Sequence, residues 1–155
     1  MHNLNAYLSP KAVRVGLQVS NKRALLHQLA SLGASAFGIA DETIFDCLHE
    51  RERLGSTGFG AGIALPHGKL DGLKHVVAAC VTLDKPVDFE AVDDMPVDLV
   101  MMLLSPADGG AQHLKALASV SRAMRDARLV SNLRGATTDE ALFALFDTQE
   151  IPHAA

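Results

Sequence analysis

The chain has no tryptophan, one tyrosine and six phenylalanines among 155 residues, so aromatics make up only 5% of it. A core without large rings must be built from close-packed Leu, Val, Ala, Ile and Met. Cysteine is equally scarce: Cys47 and Cys80 are the two present. They are far apart, lack metal-ligand spacing and sit among apolar neighbours, which excludes a disulfide framework and points to two reduced, buried thiols. Basic charge is not in excess either, with 14 Lys and Arg against 18 Asp and Glu and a net charge of −4. Nucleic-acid binders carry a basic face or stripe, and none is visible here. The longest apolar stretches, 76–83 and 97–104, fall far short of the ~20 residues that cross a bilayer. The amino end, Met-His-Asn-Leu-Asn, has neither the basic start nor the apolar core of an export signal. The expectation is a soluble, cytoplasmic protein with no nucleic-acid or membrane-inserting role, and the length fits one domain over 1–155.

What is present is a regular alternation of apolar runs and amphipathic stretches. Val13–Val19 alternates weakly and predicts an edge strand. Ser20 offers an N-cap to a helix whose face is Leu25, Leu29, Leu32 and Ala36. Gly33 weakens that helix and Gly38 ends it. Asp41 can cap a second helix, with Ile44, Cys47, Leu48 and then Arg51 as its apolar stripe and Gly55 just past its end. The glycine-rich segment 55–62 leads to a strand at Ile63–Leu65. Val76–Leu83 and Val97–Leu104 suit strands covered on both faces, with 84–87 as a turn between them. Ser105-Pro-Ala-Asp-Gly-Gly introduces a third helix with Leu114, Leu117, Val120 and Met124 on its stripe. Leu129–Leu133 forms a short helix, Thr138 caps a last one through Phe146, and 149–155 is a loose tail. Strands mixed with helices at these lengths predict an α/β single-domain sandwich, its mixed and mainly buried sheet flanked by helices.

The chemically pointed segment is Gly-Ala-Gly-Ile-Ala-Leu-Pro-His-Gly-Lys, residues 60–69. Pro66 fixes its own φ and removes a donor, so the strand should stop there. Gly68 lets the chain turn away afterwards. His67 is then presented on a constrained backbone at a strand end. Arg51, on the core-facing stripe of its helix, needs an anionic partner; an internal salt bridge would serve equally well. His113 shares a phase with Leu117, Val120 and Met124, on the inner edge of a helix's first turn where anions are welcome; a satisfied core histidine has the same pattern. Ser56 and Thr57 can donate hydroxyls or amides to an anion, or be ordinary turn residues. His2, His49 and His153 read as solvated, His27 lies opposite its helix's apolar stripe, and His75 precedes a strand without ligand spacing. No metal site and no cofactor are expected.

Together these groups suit phosphoryl chemistry. A neutral imidazole is a competent nucleophile near its solution pKa of ~6.5. The rest is positioning and neutralisation of phosphoryl oxygens. A Walker-type loop is absent and no acidic cluster offers a magnesium site. Direct transfer between histidines is therefore the sharper expectation.

Three blocks carry a specific likeness: Arg-Glu-Arg-Leu-Gly-Ser-Thr-Gly-Phe-Gly-Ala-Gly-Ile-Ala-Leu-Pro-His-Gly-Lys at 51–69, Pro-Val-Asp-Leu at 96–99, and Ser-Pro-Ala-Asp…His-Leu at 105–114. Over roughly residues 8–147 the chain resembles an enzyme IIA of the mannitol/fructose family of the bacterial phosphotransferase system, most nearly its nitrogen regulatory branch. The resemblance implies that His67 is the histidine phosphorylated on Nε2. It implies that His113 and Arg51 stabilise the phosphoryl group and that the donor is an HPr-like carrier. Implied targets of the regulatory branch include potassium-transport and sensor-kinase systems. A sugar-specific IIA passing phosphate to a IIB domain, and a binding module that has lost turnover, are the alternatives. Two positions depart from the pattern: Ala61 stands where many relatives carry asparagine or another polar residue, and Phe59 where isoleucine is more usual. Both bear on affinity and partner choice.

Overall fold

The computed structural model describes residues 4–148. In chain order these form β1 (Leu8–Leu17), α1 (Lys22–Phe37), α2 (Asp41–Arg53), β2 (Gly58–Gly60), β3 (Ile63–Ala64), β4 (His67–Leu70), β5 (Val77–Val87), β6 (Val97–Pro106), α3 (Gly110–Ala123), α4 (Ala127–Gly135) and α5 (Asp139–Thr148). The expected tail at 149–155, with His2 and His153, lies outside the described residues.

β5 and β6 are the centre because their apolar runs leave no face for water. They pair antiparallel, from Val77 opposite Leu104 to Val87 opposite Val97. The six-stranded sheet runs β1-β5-β6-β3-β2, with β4 also on β6; β1 is parallel to β5, β3 and β4 are parallel to β6, and β2 is antiparallel to β3. This is a mixed α/β sheet, as the alternation of elements predicts. Period-2 geometry then divides β6 between two cores. Leu99, Met101 and Leu103 pack with Val120, Met124, Leu133 and Phe146 of α3–α5. Val100, Met102 and Leu104 pack with Leu25, Leu29, Ile44 and Leu48 of α1 and α2.

Several local expectations are corrected. Asn21, not Ser20, caps α1, its side chain accepting from the Ala24 amide at 2.8 Å. Ala40 is the N-cap of α2, and Asp41 is that helix's first residue. Residues 84–87 are not a turn: β5 continues through them across a register shift, because Val87 is buried and returns to the ladder. On α3 the buried face is His113, Ala116, Val120 and Ala123, while Leu114 is 67% exposed. On α2 it is Ile44, Leu48 and Glu52, at i, i+4 and i+8, so Arg51 flanks the stripe and is half-buried. Cys80 is buried as expected, whereas Cys47 is only partly covered. His49 is half-buried and stacks on Phe45 with ring centroids 5.5 Å apart. Thr138 does cap α5, accepting from the Ala141 amide at 3.1 Å. Gly33 is where α1 meets α2, since a Cβ there would meet Ile44 Cδ1 at 2.8 Å and Met102 Cε at 3.3 Å.

The segment carrying His67 differs most from expectation. Pro66 interrupts the strand but does not end the pairing. Ile63 lies opposite Leu99 and His67 opposite Leu103, a single register on either side of the proline. Proline lacks a donor but keeps its acceptor, and the Leu103 amide donates to the Pro66 carbonyl at 2.9 Å. His67 therefore opens a strand rather than closing one.

Candidate functional site

His67, His113 and Arg51 converge from three elements. β4 aims alternate side chains to opposite faces: Leu70 enters the α1–α2 core, and His67 faces α3. α3 brings His113 to the same place, with the two imidazole centroids 5.7 Å apart and inclined by 42°. α2 ends beside them, and the Arg51 Nε–H donates to His67 Nε2 at 3.3 Å while Nη1 donates to the Gly55 carbonyl at 2.9 Å. Gly68 is required here for space rather than for turning. Its φ is not positive, and a Cβ on it would collide with the Cys47 Sγ of α2. That close approach of strand and helix sets Arg51 within reach of the imidazole.

The two nitrogens of His67 are distinguished by their partners. Nδ1 lies 2.8 Å from the Leu65 carbonyl, which can only accept, so in the neutral ring Nδ1 carries the proton. Nε2 is then the lone-pair nitrogen, in agreement with its accepting from Arg51. Burial depresses the His67 pKa below 6.5. The Leu65 hydrogen bond opposes that shift, and the Arg51 guanidinium adds to it. His113 is also held below 6.5, by burial first and then by His67 and Lys69. The ring of His67 is half-buried, with Nε2 available as a nucleophile at neutral pH.

His113 is 7% exposed. Its Nδ1 meets the Ser105 hydroxyl at 2.6 Å, and Ser105, the penultimate residue of β6, is itself fully buried. Ser105 is a functional neighbour that the sequence reading above lacks. Its signal there is a hydroxyl at the end of a strand whose only other polar residue is Asp98, eight residues before His113.

Ser56 and Thr57 lie near the cluster but their hydroxyls are engaged. Ser56 Oγ donates to the Phe89 carbonyl at 2.7 Å and accepts from the Gly58 amide at 3.0 Å. Thr57 donates both its amide, at 3.1 Å, and its hydroxyl to the Glu52 carboxylate. A direct contact from either hydroxyl to a bound anion requires these bonds to break. Ala61 and Phe59 line a cleft of about 730 Å³ between the β2–β3 hairpin and the α3–α4 corner, together with Met124, Arg125 and Arg134. Neither His67 nor His113 lines that cleft. Ala61 occupies the left-handed region at φ 58°, a conformation that suits asparagine better than alanine.

Among the described residues no group of three or more His, Cys, Asp or Glu side chains is placed to hold a metal ion. Among them, too, no helix is long and apolar enough to cross a membrane. The arrangement offers a half-exposed nucleophilic nitrogen, one guanidinium against it and a second imidazole across from it. That is the equipment for accepting a group with developing negative charge.

Known proteins share the sequence pattern and the fold of this chain. The family model described as phosphoenolpyruvate-dependent sugar phosphotransferase system, EIIA 2, matches residues 6–149. A nitrogen regulatory protein of Bradyrhizobium diazoefficiens is 40% identical over 138 residues, covering 89% of this chain and 90% of the relative. The nitrogen regulatory protein of Escherichia coli K12 is 35% identical over 154 residues, covering 98% and 94%. The crystal structure of nitrogen regulatory protein IIA-Ntr from Neisseria meningitidis superimposes with a TM-score of 0.84 at 29% identity, over 91% of this chain and 97% of that one. Mannitol IIA of E. coli shares the fold at a TM-score of 0.73 and 20% identity, over 89% and 97%. The chain belongs to the EIIA 2 family of the phosphoenolpyruvate-dependent sugar phosphotransferase system.

Proposed function

We propose that this protein is a regulatory phosphocarrier of the cytoplasm, a single EIIA 2 domain that takes a phosphoryl group on His67 Nε2 from a phosphohistidine of an HPr-like carrier. The observation that carries the proposal is the orientation of His67, with Nδ1–H tied to the Leu65 carbonyl and Nε2 facing Arg51. In the transfer the P–N bond to the donor histidine breaks as the bond from phosphorus to Nε2 forms. The proton on Nδ1 stays where it is. Arg51 Nε–H, which rests on Nε2, shifts to a phosphoryl oxygen as the lone pair is used. His113 donates to another oxygen from across the site. Charge developing on the equatorial oxygens thus meets a preorganised cation and donor. Ser56 and Thr57 contribute by holding the 55–58 loop in shape around the group.

The phosphoryl group adds roughly −1.5 to −2 charge, by analogy with other phosphorylated side chains. A change of that size on a half-exposed site alters which partner surface is complementary. Target proteins, such as potassium-transport or sensor-kinase systems, would then be bound according to the state of His67. The likeness to nitrogen regulatory proteins at 35–40% identity supports this branch.

Incubation with phosphoenolpyruvate, enzyme I and the carrier, followed by intact-mass measurement, tests the proposal. The native chain gains one acid-labile phosphoryl group and His67→Ala gains none. An unchanged mass for the native chain would favour a binding module without turnover. The sugar-uptake reading has one specific support, since a neighbour at TM-score 0.73 and 17% identity is a mannitol IIA in complex with phosphorylated IIB. Rapid passage of the label to a IIB domain and then to sugar would replace the regulatory reading with that one.

A further inference from the structure

Glu52 is the carboxylate that the mechanism leaves unused. Only 8% exposed, it sits one residue after Arg51 in the last turn of α2. Its close contacts run to two residues, Thr57 and Lys22. The Thr57 amide donates to Oε1 at 3.1 Å and the Thr57 hydroxyl donates to Oε2. Lys22 Nζ, from the first residue of α1, lies 2.9 Å from Oε1 and 4.5 Å above the Phe89 ring. Lys22 also reaches Glu90 at 3.5 Å.

A buried ion pair is a poor device for stability, because desolvation of both charges offsets most of their attraction. It is a good device for fixing geometry, since a carboxylate with every partner in place admits one arrangement of the chain around it. Here the arrangement fixed is the turn from Arg51 to Thr57. The turn contains Gly55 at φ 144°, a flexible position, and is tied on its far side by Ser56, which bonds the Phe89 carbonyl and the Gly58 amide, and on its near side by the Glu52–Thr57 pair. The Gly55 carbonyl is the second acceptor of Arg51, which keeps Nε on His67. Glu52 holds Thr57, Thr57 sets the turn, and the turn presents the carbonyl that orients the guanidinium.

We propose that Glu52, with Lys22 and Thr57, is a positioning residue for Arg51. This rests on the phosphocarrier reading for its effect on rate, but not for its effect on structure. A displacement of about 1 Å of a group that aligns reactants costs on the order of 100-fold in rate. Glu52→Gln therefore slows labelling by about 10- to 100-fold in the native background. In the Arg51→Ala background the same change has less than about twofold further effect, because the two act through one guanidinium. Thr57→Val, which keeps the Lys22–Glu52 pair, slows labelling by a smaller factor, and Thr57→Ser restores it. Melting midpoints of all variants separate folding defects from this effect. Independently of any carrier, the Arg51 Nε–H resonance of the unphosphorylated protein exchanges faster with solvent in Glu52→Gln and Thr57→Val than in the native chain.

Equal slowing by Glu52→Gln with and without Arg51 overturns the proposal, as does an unchanged Arg51 Nε–H exchange rate. If the native chain itself takes no label, the phosphocarrier reading fails, and the exchange rates still decide the role of Glu52.

Discussion

His67 and His113 face each other across one site, yet their rings are held by different kinds of partner. The Nδ1 of His67 is tied to a backbone carbonyl, which only accepts. The Nδ1 of His113 is tied to the Ser105 hydroxyl, which donates or accepts as required. One imidazole therefore has a fixed tautomer and a committed lone pair on Nε2. The other can present either a donor or an acceptor on its far nitrogen, because the hydroxyl accommodates both neutral tautomers by rotating. A nucleophile needs the first arrangement. A group that must stabilise phosphoryl oxygens in one state and accommodate their absence in the other is served by the second. Burial follows the same division, with His67 half-exposed to an incoming partner and His113 covered.

The contrast can be broken one partner at a time. Removal of the guanidinium has the largest effect expected short of losing His67 itself: Arg51→Ala slows labelling by one to three orders of magnitude, about 1.4 to 4 kcal/mol of transition-state stabilisation. An unchanged rate in stopped-quench labelling would take Arg51 out of the mechanism. His113→Ala comes next, with a loss of roughly 10- to 100-fold, typical of removing one donor to developing charge. The label in that variant still resides on His67, as peptide mapping under alkaline conditions would record. Ser105→Ala is milder in rate, below about tenfold, because the ring stays and only its hydroxyl partner goes. It lowers stability by about 1–3 kcal/mol, since Nδ1 of a buried imidazole is left without a partner. Denaturant titration measures that loss, and a stability equal to the native chain's would contradict the pairing.

The smallest effect is on pH dependence. Both imidazoles are held below 6.5 in the folded chain, chiefly by burial. The unfolded state, with histidines near ~6.5, takes up protons first as pH falls. Stability from these two groups is thus fully present above about pH 6.5 and is lost below it, as pH falls towards the folded pKa values. His67→Asn and His113→Asn should each flatten the stability curve below about pH 6.5, relative to the native chain. A curve of identical slope in the variants would show that neither imidazole is depressed.

Much of this was legible in the residues because periodicity reports burial directly. The runs at 76–83 and 97–104 suit covered strands, and they form the centre of the sheet. His67, Arg51 and His113 could be chosen because each sets a charged or ionisable group beside an apolar pattern. What escaped depended on distance in sequence or on a single atom. Pro66 reads as a stop, yet its carbonyl continues the ladder and holds His67 in register with Leu103. Gly68 reads as a turn residue, and its real neighbour, the Cys47 thiol, lies on another element. Glu52 escapes a reading by residue type because a carboxylate does not look like part of an apolar stripe. Its spacing of four from Leu48 and eight from Ile44 was the available signal. Leu114 looked like core by type, but Ala116 and Ala123 occupy the packed face, leaving the leucine in solvent.

The central claim is that the Nε2 of His67 is an unprotonated nucleophile in the resting protein. Long-range proton–nitrogen spectra of the neutral imidazoles in uniformly labelled protein measure this directly. His67 is expected to show the Nδ1–H tautomer, with a pyridine-type Nε2 resonance that Arg51→Ala perturbs and that disappears on phosphoryl transfer. A proton found on Nε2, or a Nε2 resonance indifferent to both Arg51 and the phosphoryl group, would contradict it.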